Sequence, residues 1–303
     1  MLLARRWSTG VGTAAPARRS FASQHRSVQV PVDDNVSLHA LVPTSATGDA
    51  RETVVCLPSA FGSVAHNFRR QFAALGDAYA FVGVDPRGYG ASRPPERDFP
   101  DRYFERDAED VLRVVDALRV DKFSILGWSA GANVGAVFAA KYPERVSRLV
   151  LVNGNAFVSD EDIEGYDKFG SVSSWHPAAR AEAEAIYGAE SLQRGWSAML
   201  EKLKHIYESE GGDLYCGALP RIQCKTLVVA GGNDKLVESF HGEYLSERIM
   251  HSRFHLFPDG RHDVHVQEAD AFNELLRTFL QEPDDKLTQS REFVARPVAS
   301  SSP

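Results

Sequence analysis

Short runs rich in β-branched residues recur along the chain, and stretches with helical spacing separate them. Ser27–Val32 and Ser37–Val42 read as an opening pair of strands. Thr53–Leu57, Ala80–Val84, Phe123–Gly127, Arg148–Asn153, Thr226–Ala230 and Arg253–Phe257 are apolar without strict alternation, the pattern of strands buried on both faces. Between them, Phe104, Ala108, Val111, Leu112, Val115 and Leu118 recur at helical spacing and predict a helix with one core face. Ala132–Tyr142 is a small-residue helix ended by Pro143, and Phe272, Leu275, Leu276 and Phe279 mark another over residues 265–280. Two paired strands followed by alternating strand–helix units predict an α/β fold with a doubly wound, mostly parallel sheet.

The alternation breaks over residues 156–223. That stretch is rich in Ala, Glu, Trp and Tyr, has helical patterns at Pro177–Tyr187 and Trp196–Tyr207, and shows no strand. An inserted helical cap at one edge of the sheet is expected, which divides the core into residues 27–155 and 224–282. Trp175 and Trp196 are candidate substrate-binding residues of the cap, with plain core packing as the alternative. The acidic stretch Asp160-Glu161-Asp162 reads as a solvated loop, or else as a site for an ammonium group.

Composition is distinctive mainly at the ends. Residues 1–32 contain no Asp or Glu but carry Arg5, Arg6, Arg18, Arg19 and Arg26, with Leu2, Leu3, Trp7 and Val11 as apolar positions. Arg-rich, Ser-containing and acid-free is the pattern of a mitochondrial transit peptide, here over residues 1–26, and it implies a matrix location. Residues 283–303 lose apolar periodicity and read as a disordered tail. Over all 303 residues, 34 Lys and Arg against 41 Asp and Glu give a net charge of −7, which argues against a nucleic-acid partner. No apolar run is long enough for a membrane span. Three cysteines cannot all pair, so no disulfide scaffold is expected.

One motif carries chemistry. Gly127-Trp128-Ser129-Ala130-Gly131 fits G-x-S-x-G, directly follows a predicted strand and directly opens a predicted helix. That context holds a serine on a sharp elbow with its hydroxyl exposed, at a helix N-terminus whose free N–H groups favour negative charge. A serine needs a base, and the base needs an orienting acid. In this fold the acid and then the histidine follow in loops after the last strands. Asp234 follows the strand Thr226–Ala230, and His262 follows Arg253–Phe257. Asp259, His255 and His265 are weaker rivals, lying in the His262 loop, within a strand and at the start of the last helix. The oxyanion hole is expected to combine the N–H of Ala130 with one from the loop after Leu57, Ala60 first and Phe61 second. His262 and His265 lack the acidic partner of a zinc helix, and Gly88-Tyr89-Gly90 lacks the rest of a dinucleotide fingerprint, so no metal or cofactor is expected. The two glycines read instead as a tight turn.

Asp85-Pro-Arg-Gly-Tyr-Gly-Ala-Ser-Arg-Pro-Pro-Glu-Arg-Asp-Phe-Pro100 and Phe104-Glu-Arg-Asp107 closely resemble the valacyclovir hydrolase (biphenyl hydrolase-like) family of α/β-hydrolases. The likeness continues through Gly127-Trp-Ser129, Lys141-Tyr-Pro143, Val158-Ser-Asp-Glu-Asp162, Ala185-Ile-Tyr-Gly188 and Gly260-Arg-His262, covering about residues 30–282. The resemblance implies hydrolysis of small carboxylic esters, in that family α-amino acid esters, and opening of homocysteine thiolactone. It also implies Ser129, Asp234 and His262 as the triad. In that family an Asp after the nucleophile grips the substrate's ammonium group; here Ala130 stands in its place, and Lys235 replaces a common Pro. Ser59 likewise departs from the His-Gly that many relatives carry in the oxyanion loop. The expectation is a serine hydrolase acting on a small-molecule ester through an acyl-enzyme. A carbon–carbon bond hydrolase, an acyltransferase or a binding protein with a silent pocket are the alternatives.

Overall fold

The structure, a computed structural model, describes residues 25–44 and 51–283. Apart from residues 25, 26 and 283, the expected transit segment and tail lie outside the described residues. Eight strands form one sheet: β1 (His25–Asp33), β2 (Val36–Pro43), β3 (Thr53–Leu57), β4 (Ala80–Val84), β5 (Phe123–Trp128), β6 (Val146–Val152), β7 (Lys225–Gly231) and β8 (Ser252–Phe257). Their spatial order is β1-β2-β4-β3-β5-β6-β7-β8. β1 and β2 form an antiparallel hairpin, β2 meets β4 antiparallel, and every later pairing is parallel. The doubly wound sheet expected from the alternation is therefore what forms, with the order reversing around β3.

The unbroken apolar runs follow from burial on both faces. Val55, Leu57, Ile125, Leu149 and Leu151 point to one side, where they meet α3 (Tyr103–Ala117) and α4 (Ala130–Lys141). Val54, Cys56, Leu126, Val150 and Val152 point to the other, against α2 (Arg69–Leu75) and α10 (Ala269–Gln281). Successive residues of one strand thus enter opposite cores. The short α1 (Val64–Asn67) and α2 had no periodicity to announce them, since four and seven residues give too few turns.

Between β6 and β7 the described chain is helical: α5 (Asp160–Phe169), α6 (Pro177–Tyr187) and α7 (Ala189–Glu210). An isolated antiparallel bridge, Phe157 with Asp213, closes the base of this cap. α7 begins seven residues earlier than its apolar pattern, because its first two turns are polar on most sides. It stops at Gly211, whose φ of +64° is the left-handed cap that glycine favours.

The acidic stretch is not a loop, although Asp160 and Glu161 are exposed as expected and only Asp162 is buried. It opens α5, where negative charge complements the helix N-terminus, and Ser159 and Asp162 form a reciprocal capping box. The Oδ2 of Asp162 lies 2.9 Å from Nε2 of His241 in α8 (Ser239–Arg248), a contact between cap and core. The Tyr207 hydroxyl occupies Asp160.

Two glycines test this packing in opposite directions. A Cβ on Gly131 would lie 2.1 Å from the Leu57 carbonyl oxygen and 2.5 Å from that of Pro58, whereas one on Gly165 would meet nothing closer than 3.7 Å. Gly131→Ala is expected to lower stability by about 1–3 kcal/mol through overpacking, and Gly165→Ala to raise it by about 0.5–1 kcal/mol within α5. Urea unfolding followed by circular dichroism checks both; equal midpoints for the two variants would contradict the close approach at Gly131.

Candidate active site

At the end of β5 the chain turns sharply through Ser129, whose φ is +55° and ψ −123°, and α4 starts at the next residue. A serine in that region costs about 1–3 kcal/mol unless its surroundings hold it. They do. The Ser129 N–H donates to the Val152 carbonyl at 2.8 Å, and the Ser129 carbonyl accepts from Ala132 at 2.8 Å. The flanking glycines let backbones touch: a Cβ on Gly127 would lie 2.4 Å from the Gly131 oxygen.

Two loops at the same edge of the sheet reach this serine. Asp234 follows β7 and His262 follows β8. Asp234 Oδ2 lies 2.7 Å from His262 Nδ1, and His262 Nε2 lies 3.0 Å from Ser129 Oγ. Asp234 is buried, and its second oxygen accepts the N–H groups of Leu236 at 2.9 Å and Val237 at 3.1 Å. An ionised carboxylate so bound accepts from Nδ1–H, which leaves Nε2 free to accept the serine hydroxyl. Burial works against a charged His262, but the charge and hydrogen bond of Asp234, helped by Asp263, outweigh it and hold the pKa above 6.5. His265 is different: burial and the nearby His262 push it down to about 3, against the opposing effect of the Asn67 carbonyl. Its neutral Nε2–H donates to that carbonyl at 3.0 Å. His255 lies in β8, and Asp259 makes no contact with the imidazole among the described hydrogen bonds.

Two residues that the sequence reading passed over hold the histidine loop. The Trp128 indole N–H donates to the His262 carbonyl at 2.7 Å, and its ring packs between His262 and His265. The Asn153 amide donates to the carbonyls of His262 at 2.7 Å and Arg261 at 3.1 Å, while its oxygen accepts from Gly231 N–H at 3.0 Å. Asn153 joins the ends of β6, β7 and the His262 loop. Its φ of +48° suits asparagine better than most residues. A polar residue just past a strand was the available signal.

Ala130 opens α4, so its N–H has no acceptor within the helix. The second expected donor lies in the turn Ser59–Gly62, closed by Gly62 N–H to the Ser59 carbonyl at 3.1 Å, with Ala60 and Phe61 as its central residues. Asn67 Oδ1 accepts from Ser59 N–H at 3.2 Å, and Asp85 Oδ1 accepts from Val64 N–H at 2.8 Å. Ala130 also lines a small cavity, large enough for about one water, with Pro58, Tyr89, Arg97, Tyr103 and Asp107. Both oxygens of Asp107 are taken by Arg97, at 2.9 and 2.5 Å. Trp175 and Trp196 do not line it; they pack edge to face at 4.9 Å inside the cap, Trp196 also facing Phe61. Gly88 and Gly90 have φ of +76° and +50° in a turn around Asp85, whose carboxylate a Cβ on Gly90 would strike at 2.3 Å. Among the described residues no group of His, Cys, Asp or Glu could hold a metal ion, and no helix is long and apolar enough to cross a membrane.

Residues 52–180 match the model of the α/β-hydrolase fold family. The chain is 38% identical over 272 residues to human "Serine hydrolase BPHL", covering 89% of this chain and 91% of that protein. A hydrolase from Pseudomonas aeruginosa superposes with a TM-score of 0.68 at 25% identity, over 84% of this chain and 98% of that one. 2-Hydroxy-6-oxo-6-phenylhexa-2,4-dienoate hydrolase from Rhodococcus sp. RHA1 shares the fold, with a TM-score of 0.71 at 20% identity, over 85% and 99% of the two chains.

The opposing influences on His262 can be separated. Replacing Asp234 by Asn removes the neighbouring charge and leaves burial opposed chiefly by Asp263. The imidazole midpoint, above 6.5 in the parent, is expected to fall below 6.5 in Asp234→Asn. Histidine ring NMR titration reads it directly, and an unmoved midpoint would show that Asp234 does not control this imidazole.

Proposed function

Since the chain belongs to the α/β-hydrolase family and is a serine hydrolase, we propose that it cleaves small carboxylic esters through Ser129, His262 and Asp234. The observation that carries this reading is the continuous chain from Asp234 Oδ2 through His262 to Ser129 Oγ, at 2.7 and 3.0 Å, ending at a helix start. Ser129 Oγ attacks the acyl carbonyl while His262 Nε2 takes its proton, and Asp234 stabilises the imidazolium that forms. The N–H of Ala130 and one from Ala60 or Phe61 receive the negative charge on the carbonyl oxygen. The ester C–O bond then breaks, and His262 returns the proton to the departing alcohol. Water, with His262 again as base, releases the acid and restores Ser129. No step calls for a cofactor.

Amino acid esters are no longer strongly preferred, and neutral acyl esters are accepted. Ala130 offers no carboxylate where the resembling family has one. The single acid lining the adjacent cavity, Asp107, is already bound by Arg97. Of the three cap acids, Asp162 is buried facing His241, Asp160 is held by Tyr207, and Glu161 is exposed. A charge-assisted hydrogen bond contributes about 1.5–3 kcal/mol, or roughly 10- to 150-fold in selectivity.

Matched p-nitrophenyl esters, one simple acyl and one α-amino acyl, test both parts. Wild type is expected to cleave the simple ester without a strong preference for its α-amino counterpart, and Ser129→Ala to lose on the order of 10⁶ in kcat. Ala130→Asp should improve kcat/KM for the aminoacyl ester relative to the other by roughly 10- to 150-fold; no gain would remove the specificity argument while leaving the mechanism. Turnover needs neutral His262, so kcat/KM should rise with pH through a midpoint above 6.5. An intact ester in the presence of wild type would instead favour carbon–carbon bond hydrolysis or a silent pocket.

A further inference from the structure

We infer that the cap sets the shape of the oxyanion turn through the Phe61 ring and the Tyr187 hydroxyl, making both positioning residues for acyl transfer. The inference rests on the serine-hydrolase mechanism above. One backbone hydrogen bond closes the turn Ser59–Gly62, and Phe61 sits in it at a φ of +53°. That conformation is unfavourable for a bulky L-residue and relaxes unless something outside the turn holds it.

The holding groups come largely from the cap. The Phe61 ring is only 4% exposed and lies 5.6 Å from Tyr187 and 6.3 Å from Trp196, both edge-on. Tyr89, from the loop after β4, completes the cage at 5.1 Å. α7 makes room for the ring at Gly195, where a Cβ would lie 2.6 Å from Phe61 Cε1. A glycine inside a 22-residue helix is otherwise unfavourable, so its place opposite the ring has a packing reason. The Tyr187 hydroxyl donates to the Gly62 carbonyl at 3.2 Å and accepts from Gly90 N–H at 2.8 Å. Both capacities are used, which orients this largely buried hydroxyl. On the core side, Asn67 holds Ser59 and Asp85 holds Val64. The base of the turn is therefore fixed by the sheet loops and its apex by the cap. Whether Ala60 or Phe61 supplies the N–H, its direction follows from the Ala60–Phe61 backbone that this grip maintains.

Three variants separate positioning from stability. Tyr187→Phe keeps the ring and removes the two hydrogen bonds. Gly195→Ala pushes the Phe61 ring aside. Phe61→Gly permits the same φ without strain but leaves the cap nothing to grip. Each is measured by the second-order rate and final stoichiometry of fluorophosphonate labelling at Ser129, by kcat and KM on the simple p-nitrophenyl ester, and by thermal unfolding. The expected result is full labelling stoichiometry and a KM within about twofold of wild type. Labelling rate and kcat should fall together, about tenfold in Tyr187→Phe and up to the 10²–10³-fold that follows loss of one oxyanion donor in the other two. Parent-like labelling rates in Gly195→Ala and Phe61→Gly overturn the inference, as does a loss of active-site stoichiometry at an unchanged rate, which marks unfolding. A parent that labels yet leaves esters intact refutes the ester reading, while the labelling rates still decide this one. A parent that does not label at all removes both.

Discussion

Everything at this site depends on backbone packed against backbone where α4 begins. Ser129 occupies a conformation that serine avoids because Gly127 and Gly131 let β5, α4 and the β3 loop approach within distances a Cβ would forbid. The same contact decides three things together. It lifts the hydroxyl off the sheet edge, aims the first turn of α4 at the same point, and brings the Ser59–Gly62 turn beside the helix start. The strain is local, and the compensating contacts are spread over β3, β6 and α4. Such a site is preorganised by the fold rather than assembled by side chains.

Ser27 Oγ lies 3.0 Å from His39 Nε2, and His39 Nδ1 lies 2.9 Å from Asp85 Oδ2. The distances match those of Ser129, His262 and Asp234 almost atom for atom. Ser27, however, sits within an edge strand, with no helix start beneath it and no elbow. Asp85 meanwhile spends its oxygens on the N–H groups of Val64 and Ala91, bracing the two loops beside the site. Here a serine, a histidine and a carboxylate in line also occur with the serine in an edge strand; a helix terminus and a strained turn are what set the other trio apart.

Much of this was legible in the chain. The buried strands declared themselves because both faces of the sheet are covered, so Thr53–Leu57 or Arg148–Asn153 needed no alternation to be seen. The trio Ser129, Asp234 and His262 could be placed because each follows a strand, and strand ends on one edge of a parallel sheet converge. What escaped depends on contacts between distant segments. Trp128 read as the variable position of a motif, and Asn153 as the end of a strand, yet both bind the His262 carbonyl from over a hundred residues away. Asp162 looked solvated like its two exposed neighbours because charge alone does not reveal a capping box or a histidine on another helix. The short α1 and α2 left no periodic trace.

The apolar cluster of the cap is not self-contained: Phe61 and Tyr89, from the loops after β3 and β4, are among its buried members. A boundary drawn at residues 156 and 223 therefore cuts through a hydrophobic unit although it falls between secondary-structure elements. Moved alone onto another sheet, the inserted segment would carry a socket with no plug, centred on Gly195. Exchange of caps between members of such a family is constrained by coinheritance: the transferable module is discontinuous, and it includes two aromatic residues that belong, by chain order, to the part left behind.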